Sequence, residues 1–120
     1  MELNKLTAIS PVDGRYRSKT ELLSEYFSEF GLIKYRVMVE VEYFIALCKA
    51  GIPGLSDVSP NQQQELRKIC TNFSTADAEK VKDIEKVTNH DVKAVEYLLK
   101  EKIAGNKELE AVSEFIHFAC

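Results

Sequence analysis

From Phe30 onward, apolar residues return every three or four positions. Phe30, Ile33, Val37, Val41, Phe44, Ile45 and Cys48 mark one stripe of a helix running through Gly31 to about Lys49. Leu32, Met38, Val39 and Leu47 widen that stripe, so the pattern predicts a helix buried on more than one side. Ser28 is placed to cap its start, and Gly51 with Pro53 beyond it to end it. The β-branched run from Val37 to Val41 also suits a strand, but length and flanking caps decide for a helix.

The same reading continues along the chain. Ser59-Pro60 opens a helix that carries Leu66, Ile69 and Cys70 inward and finishes near Phe73, because proline at the first helical position gives up a donor that would have no partner anyway. Ser74 with Asp77 three residues on starts another, through Val81 and Ile84. Asp91 to Ile103 puts Val92, Val95, Leu98, Leu99 and Ile103 on one face and offers a Glu96 to Lys100 ion pair. Gly105 can terminate that helix, and a last one begins near Lys107. Upstream, Met1 to Tyr16 reads as an extended or looped arm with turn signals at Ser10-Pro11 and Asp13-Gly14, followed by a short helix around Lys19 to Phe27. No strand pattern and no repeat stands out. The predicted class is all-α, with an extended N-terminal arm.

The residues from Ala111 to Cys120 are densely apolar. Val112, Phe115, Ile116 and Ala119 read as a helical stripe left uncovered, which predicts self-association and a chain cut from a longer helical protein.

Composition narrows the function classes. With 45% hydrophobic residues in 120, the chain can build a core. Sixteen basic against nineteen acidic residues leave a charge of -3, which argues against nucleic acid as a partner. No basic amphipathic segment marks a membrane surface, and the apolar run Val37 to Cys48 is too short to span one. Cys48, Cys70 and Cys120 form no CxxC pair, and two histidines are too few for a usual zinc site, so no metal is expected. Unpaired thiols and an N-terminus without a secretory pattern point to the cytoplasm.

Three local features can carry chemistry. In Ser10-Pro11-Val12-Asp13-Gly14-Arg15-Tyr16, a stiff turn presents a guanidinium fork beside a phenol, a pair suited to phosphate or carboxylate; composition alone favours an ordinary surface turn. Thr88-Asn89-His90-Asp91 falls between two helices, where Thr88 or Asp91 can cap the next helix, free amides can meet an anion and His90 can add a proton or a charge; plain capping residues and a linker histidine fit as well. His117, on the final helix among Phe115, Ile116 and Phe118, reads most simply as a satisfied core or interface residue.

Four stretches taken in order resemble the adenylosuccinate lyase family in its bacterial form: Leu6 to Tyr16 (LTAISPVDGRY), Phe27 to Val41 (FSEFGLIKYRVMVEV), Thr88 to Tyr97 (TNHDVKAVEY) and Ser113 to Cys120 (SEFIHFAC). The segment from Lys49 to Thr75 is not distinctive. The resemblance implies the helical fold of the fumarase/aspartase superfamily, with residues 1–120 forming the N-terminal helical domain of a longer lyase, ahead of its central helical bundle.

It further implies β-elimination of fumarate from adenylosuccinate, giving AMP, and from the succinyl-carboxamide ribonucleotide SAICAR, giving AICAR. No metal or organic cofactor is implied, and the enzyme is expected to be a homotetramer whose active sites draw on three subunits. By the same resemblance Arg15 and Tyr16 contact the nucleotide, Asn89, His90 and Asp91 bind substrate, and His117 lies at a substrate-contacting helix end. The family's Thr-Ser substrate pair, its general-acid histidine and its mobile-loop serine base have no counterpart in these residues. No catalytic residue is therefore expected among them, and the chain alone should be inactive. An argininosuccinate lyase-like enzyme and a non-catalytic helical interaction module are the competing readings.

Overall fold

Side-chain caps mark the starts of the helices that begin at Pro60, Thr75, Asp91 and Lys107. The computed structural model describes all 120 residues, Met1–Cys120. It holds seven α-helices and no strand: α1 (Arg17–Thr20), α2 (Ser24–Phe27), α3 (Glu29–Lys49), α4 (Pro60–Thr71), α5 (Thr75–Thr88), α6 (Asp91–Ile103) and α7 (Lys107–Ala111). Two single 3-10 turns, Glu21–Leu23 and Ser113–Phe115, interrupt the α-helical path. The chain is all-α. No helix is long and apolar enough to cross a membrane.

The chain divides into two compact units, Met1–Leu32 and Ile33–Cys120, described in turn. In the first, the N-terminal arm is not extended but wound into consecutive turns. The Ala8 amide donates to the Asn4 carbonyl at 2.8 Å, the Gly14 amide to the Ser10 carbonyl at 3.1 Å and the Tyr16 amide to the Pro11 carbonyl at 2.9 Å. The Asp13 carboxylate closes the second turn by accepting from the Ser10 amide at 2.9 Å. Asn, Asp and Ser side chains bond their own backbone in this way, which explains why a segment without helical periodicity is nevertheless folded. The short helix expected around Lys19 to Phe27 is broken into α1, the first 3-10 turn and α2; its apolar residues Leu22, Leu23, Tyr26 and Phe27 are all exposed, so no burial holds it to one continuous helix.

The second unit holds the core. Ser59 and Ser74 each form a capping box, with Gln62 and Asp77 respectively, at the starts of α4 and α5. α5 and α6 pack as an antiparallel hairpin: Lys102, near the end of α6, meets Asp77 at 2.6 Å and Lys80 meets Glu101 at 2.7 Å. Between them Ala78, Val81, Ala94, Val95 and Leu98 are buried. From α3, Ile33, Val37, Val41, Phe44 and Ile45 join the same core, with Leu66, Leu99, Ile103 and Leu109. Each large aliphatic residue so buried contributes ~1.5–3 kcal/mol. A two-pronged contact, Arg67 Nε to Glu42 Oε1 at 2.8 Å and Nη2 to Oε2 at 3.0 Å, ties α4 to α3.

Three expectations about packing need correction. α3 is buried along one stripe only: Leu32, Met38 and Val39 are 45%, 40% and 61% exposed. Glu96 pairs with Lys93 at 2.9 Å rather than with Lys100, because it lies in the buried face of α6 and Lys93 reaches it from one turn back. The terminal stripe is not helical. α7 ends at Ala111, and Ile116 turns back into the core at 5% exposure, which a continuous helix through 107–120 would not allow.

Candidate functional site

In the first unit, Gly14 makes the Arg15-Tyr16 turn possible. A Cβ at Gly14 would stand 2.8 Å from the Lys5 carbonyl oxygen and 3.1 Å from the Ala8 Cβ, so only glycine allows the two turns of the arm to meet there. Both side chains that follow are exposed. The Arg15 guanidinium lies over the Tyr16 ring, 4.7 Å from its centroid, a cation–π contact that favours this orientation of the fork. Arg15 also lines a surface hollow with Lys5, Ser10 and Pro11. Two cations beside one hollow, neither paired with a carboxylate, can receive an anion.

In the second unit, Asn89, His90 and Asp91 form the corner between α5 and α6. Asn89 takes the left-handed conformation (φ 55°, ψ 33°) that ends α5 and reverses the chain. His90 itself caps α6, accepting at Nδ1 from the Lys93 amide at 3.1 Å; neither Thr88 nor Asp91 is the cap. Asp91 Oδ1 accepts from the Val92 amide at 2.8 Å, and its Oδ2 meets Arg36 Nη1 of α3 at 3.0 Å. The Val92 hydrogen bond, aided by Arg36, holds the Asp91 carboxyl below its ordinary range.

This geometry changes the chemistry expected at the corner. The first amides of α6 are already taken by His90 and Asp91, and a carboxylate sits among them, so the helix start is not an open anion site. What the corner offers is the exposed His90 ring with its proton on Nε2, the Asn89 amide, and an Arg36-Asp91 pair whose members are 31% and 50% exposed.

His117 lies in an irregular turn, not on a helix, with a left-handed backbone at φ 59°. Its Nδ1 is 2.6 Å from Glu40 Oε1 on α3. One turn further along α3, the Tyr43 hydroxyl donates to the Phe118 carbonyl at 2.8 Å. These two bonds and the burial of Ile116 fix the segment against α3. Glu40 is only 8% exposed, and its Oε2 has no hydrogen-bond partner. An unmet polar atom of this kind costs ~1–3 kcal/mol.

Cys120 Sγ lies within 4.8 Å of the ligand atoms of Glu40 and His117, so these three are the groups available to a cation. The 2.6 Å between Nδ1 and Oε1 is a hydrogen-bond length, however. Two ligands of one tetrahedral zinc, each bound at about 2.0 Å, stand roughly 3.3 Å apart. The arrangement present is a hydrogen-bonded pair. The broad cleft between α4 and the ends of α5 and α6, lined by Lys68, Asn72, Asp77 and Lys102, contains none of the expected site residues.

Sequence reading missed Glu40, Arg36 and Tyr43. Glu40 had a usable signal: it falls three residues after Val37 and four before Phe44, so it occupies a core position of the α3 stripe. A carboxylate there needs a partner, and the partner comes from 77 residues away.

No protein-family model matches the chain. Curated relatives do, along its whole length. It is 57% identical over 121 residues to the adenylosuccinate lyase of Vibrio cholerae and 54% identical over 121 residues to that of Escherichia coli, in each case covering 100% of this chain and 26% of the relative. The adenylosuccinate lyase of Dictyostelium discoideum is 52% identical over 126 residues, covering 98% of the chain and 26% of the relative. The chain thus spans about a quarter of the length of the curated relatives it matches. Along essentially its whole length the chain is therefore similar to adenylosuccinate lyases, and the stretches that hold Arg15, Asn89 to Asp91 and His117 lie within that match.

Proposed function

We propose that the chain is the N-terminal domain of a longer lyase that eliminates fumarate from adenylosuccinate and from SAICAR, and that it supplies groups that hold the substrate rather than groups that transfer its protons. The observation that carries this reading is the 57% identity over the full chain to an adenylosuccinate lyase. The chemistry of the residues supports the division of labour. The substrate is a polyanion with one phosphate and two carboxylates, and it needs fixed cations and donors before any proton can move. Arg15, oriented by Tyr16, suits a phosphate or carboxylate. Asn89, His90 and Asp91 form a compact donor and acceptor set at one corner, and His117 adds a second imidazole.

The residues that deprotonate the succinyl carbon and protonate the departing nitrogen belong to the remainder of the enzyme. The enzyme works as a cytoplasmic homotetramer, a setting that agrees with three free thiols, and uses no cofactor.

Arg15 provides the test. In the full-length enzyme, Arg15→Ala removes a charge-assisted contact worth ~1.5–3 kcal/mol, so kcat/KM on adenylosuccinate should fall roughly ten- to a hundred-fold, and Arg15→Lys should recover only part of it. Unchanged kinetics for Arg15→Ala, or fumarate release from argininosuccinate instead of adenylosuccinate, would overturn the reading.

A further inference from the structure

We infer that Glu40 is the positioning residue for His117, holding the imidazole by Nδ1 so that Nε2 is the atom presented to substrate. This rests on the reading of His117 as a substrate contact. Three observations on the molecule support it. Glu40 is the only charged residue of α3 that is buried, and one of its oxygens has no partner at all. Such a carboxylate adds little to the core; its single hydrogen bond goes to His117, at 2.6 Å. The His117 backbone is left-handed, a conformation that a residue with a Cβ keeps only where its surroundings over-determine it. Finally, Tyr43 pins the next residue from the same face of α3, so helix and turn are joined at two consecutive residues.

The chemistry follows from the hydrogen bond. A carboxylate oxygen can only accept, so the shared proton sits on Nδ1. In the neutral ring Nε2 then carries the free lone pair. In the charged ring Nε2–H is a donor to an anion, and Glu40 balances the charge. Either way the ring has one fixed orientation and one free atom. His90 has the opposite arrangement, because its Nδ1 accepts from the Lys93 amide and its proton must sit on Nε2.

The chain contains only these two histidines, so the proton positions can be read directly. In a nitrogen-15 histidine spectrum of the chain at pH about 9, where unperturbed imidazoles are neutral, one ring should be protonated at Nδ1 and one at Nε2. His117→Gln should remove the Nδ1-protonated ring. Two Nε2-protonated rings would overturn the inference.

Kinetics of the full-length enzyme supply the second arm. Glu40→Gln keeps the shape but no longer dictates the tautomer, and should lower kcat/KM roughly ten- to a hundred-fold with an unchanged melting temperature. Combined with His117→Gln it should be no worse than His117→Gln alone. Additive losses in the double variant, or full activity of Glu40→Gln beside an impaired His117→Gln, would overturn the role of Glu40 and leave the substrate reading standing. Full activity of His117→Gln would instead overturn the substrate reading of His117, and the inference with it.

Discussion

Asn89 serves the backbone and, on the proposed reading, a ligand as well. Its left-handed conformation is one that Asn tolerates and Gly adopts freely, so the amide is not required to make the corner. Asn89→Gly should therefore leave the melting temperature of the chain nearly unchanged while lowering kcat/KM of the full-length enzyme on adenylosuccinate. A fully active variant would reduce Asn89 to a turn residue. At this scale the sequence was informative about local geometry: Asn89 through Asp91 form the corner that the turn between two helices predicts. It was silent on partners supplied from a distance. Nothing near His117 in the chain announces Glu40, and nothing near Asp91 announces Arg36, because both pairs form only when α3 packs on the rest of the second unit.

Among the elements, the bounds of the long helices were legible and the early end of α7 was not. Ser59-Pro60 and Ser74 with Asp77 declare their helices through side-chain chemistry within four residues, and α6 runs over Asp91–Ile103 as its periodicity predicts. α7 stops early because tertiary contacts, namely Ile116 in the core and the bonds to Glu40 and Tyr43, override the local preference for helix. The α5 start also carries a pH dependence. Burial acts to raise the Asp77 carboxyl, but hydrogen bonds from Lys102 and from the Ser74 amide and hydroxyl outweigh it and hold the group below its ordinary range. A carboxyl lowered in the fold contributes stability that is present above its unfolded value, ~3.9, and is lost as pH falls through the lower folded value. Asp77→Asn should therefore lower the melting temperature at pH 7 and flatten its decline below about pH 4. Parallel melting curves for the two proteins through that range would contradict the assignment.

For the whole molecule, the exposed apolar surface lies where the sequence did not place it. The C-terminal stripe was expected to be bare, yet Ile116 is covered, while in the first unit Leu6, Ile9, Leu22 and Phe27 are 96%, 96%, 81% and 84% exposed. Surface of that kind drives association. The chain should self-associate as its concentration rises, and Leu22→Ser with Phe27→Ser should return it toward monomer by light scattering; an equally associated double variant would move the contact elsewhere. The way the last residues are held has a consequence in time as well as in space. His117 and Ala119 both keep left-handed backbones, at φ 59° and 60°, each costing roughly 1–2 kcal/mol, so 116–120 is drawn down by α3 against its own preference. A segment held that way opens locally long before the hairpin of α5 and α6 unfolds. Tyr43→Phe removes one hold worth ~0.5–1.5 kcal/mol, so hydrogen exchange at the Ile116 and Phe118 amides should quicken by up to about tenfold while the Leu98 amide exchanges as before.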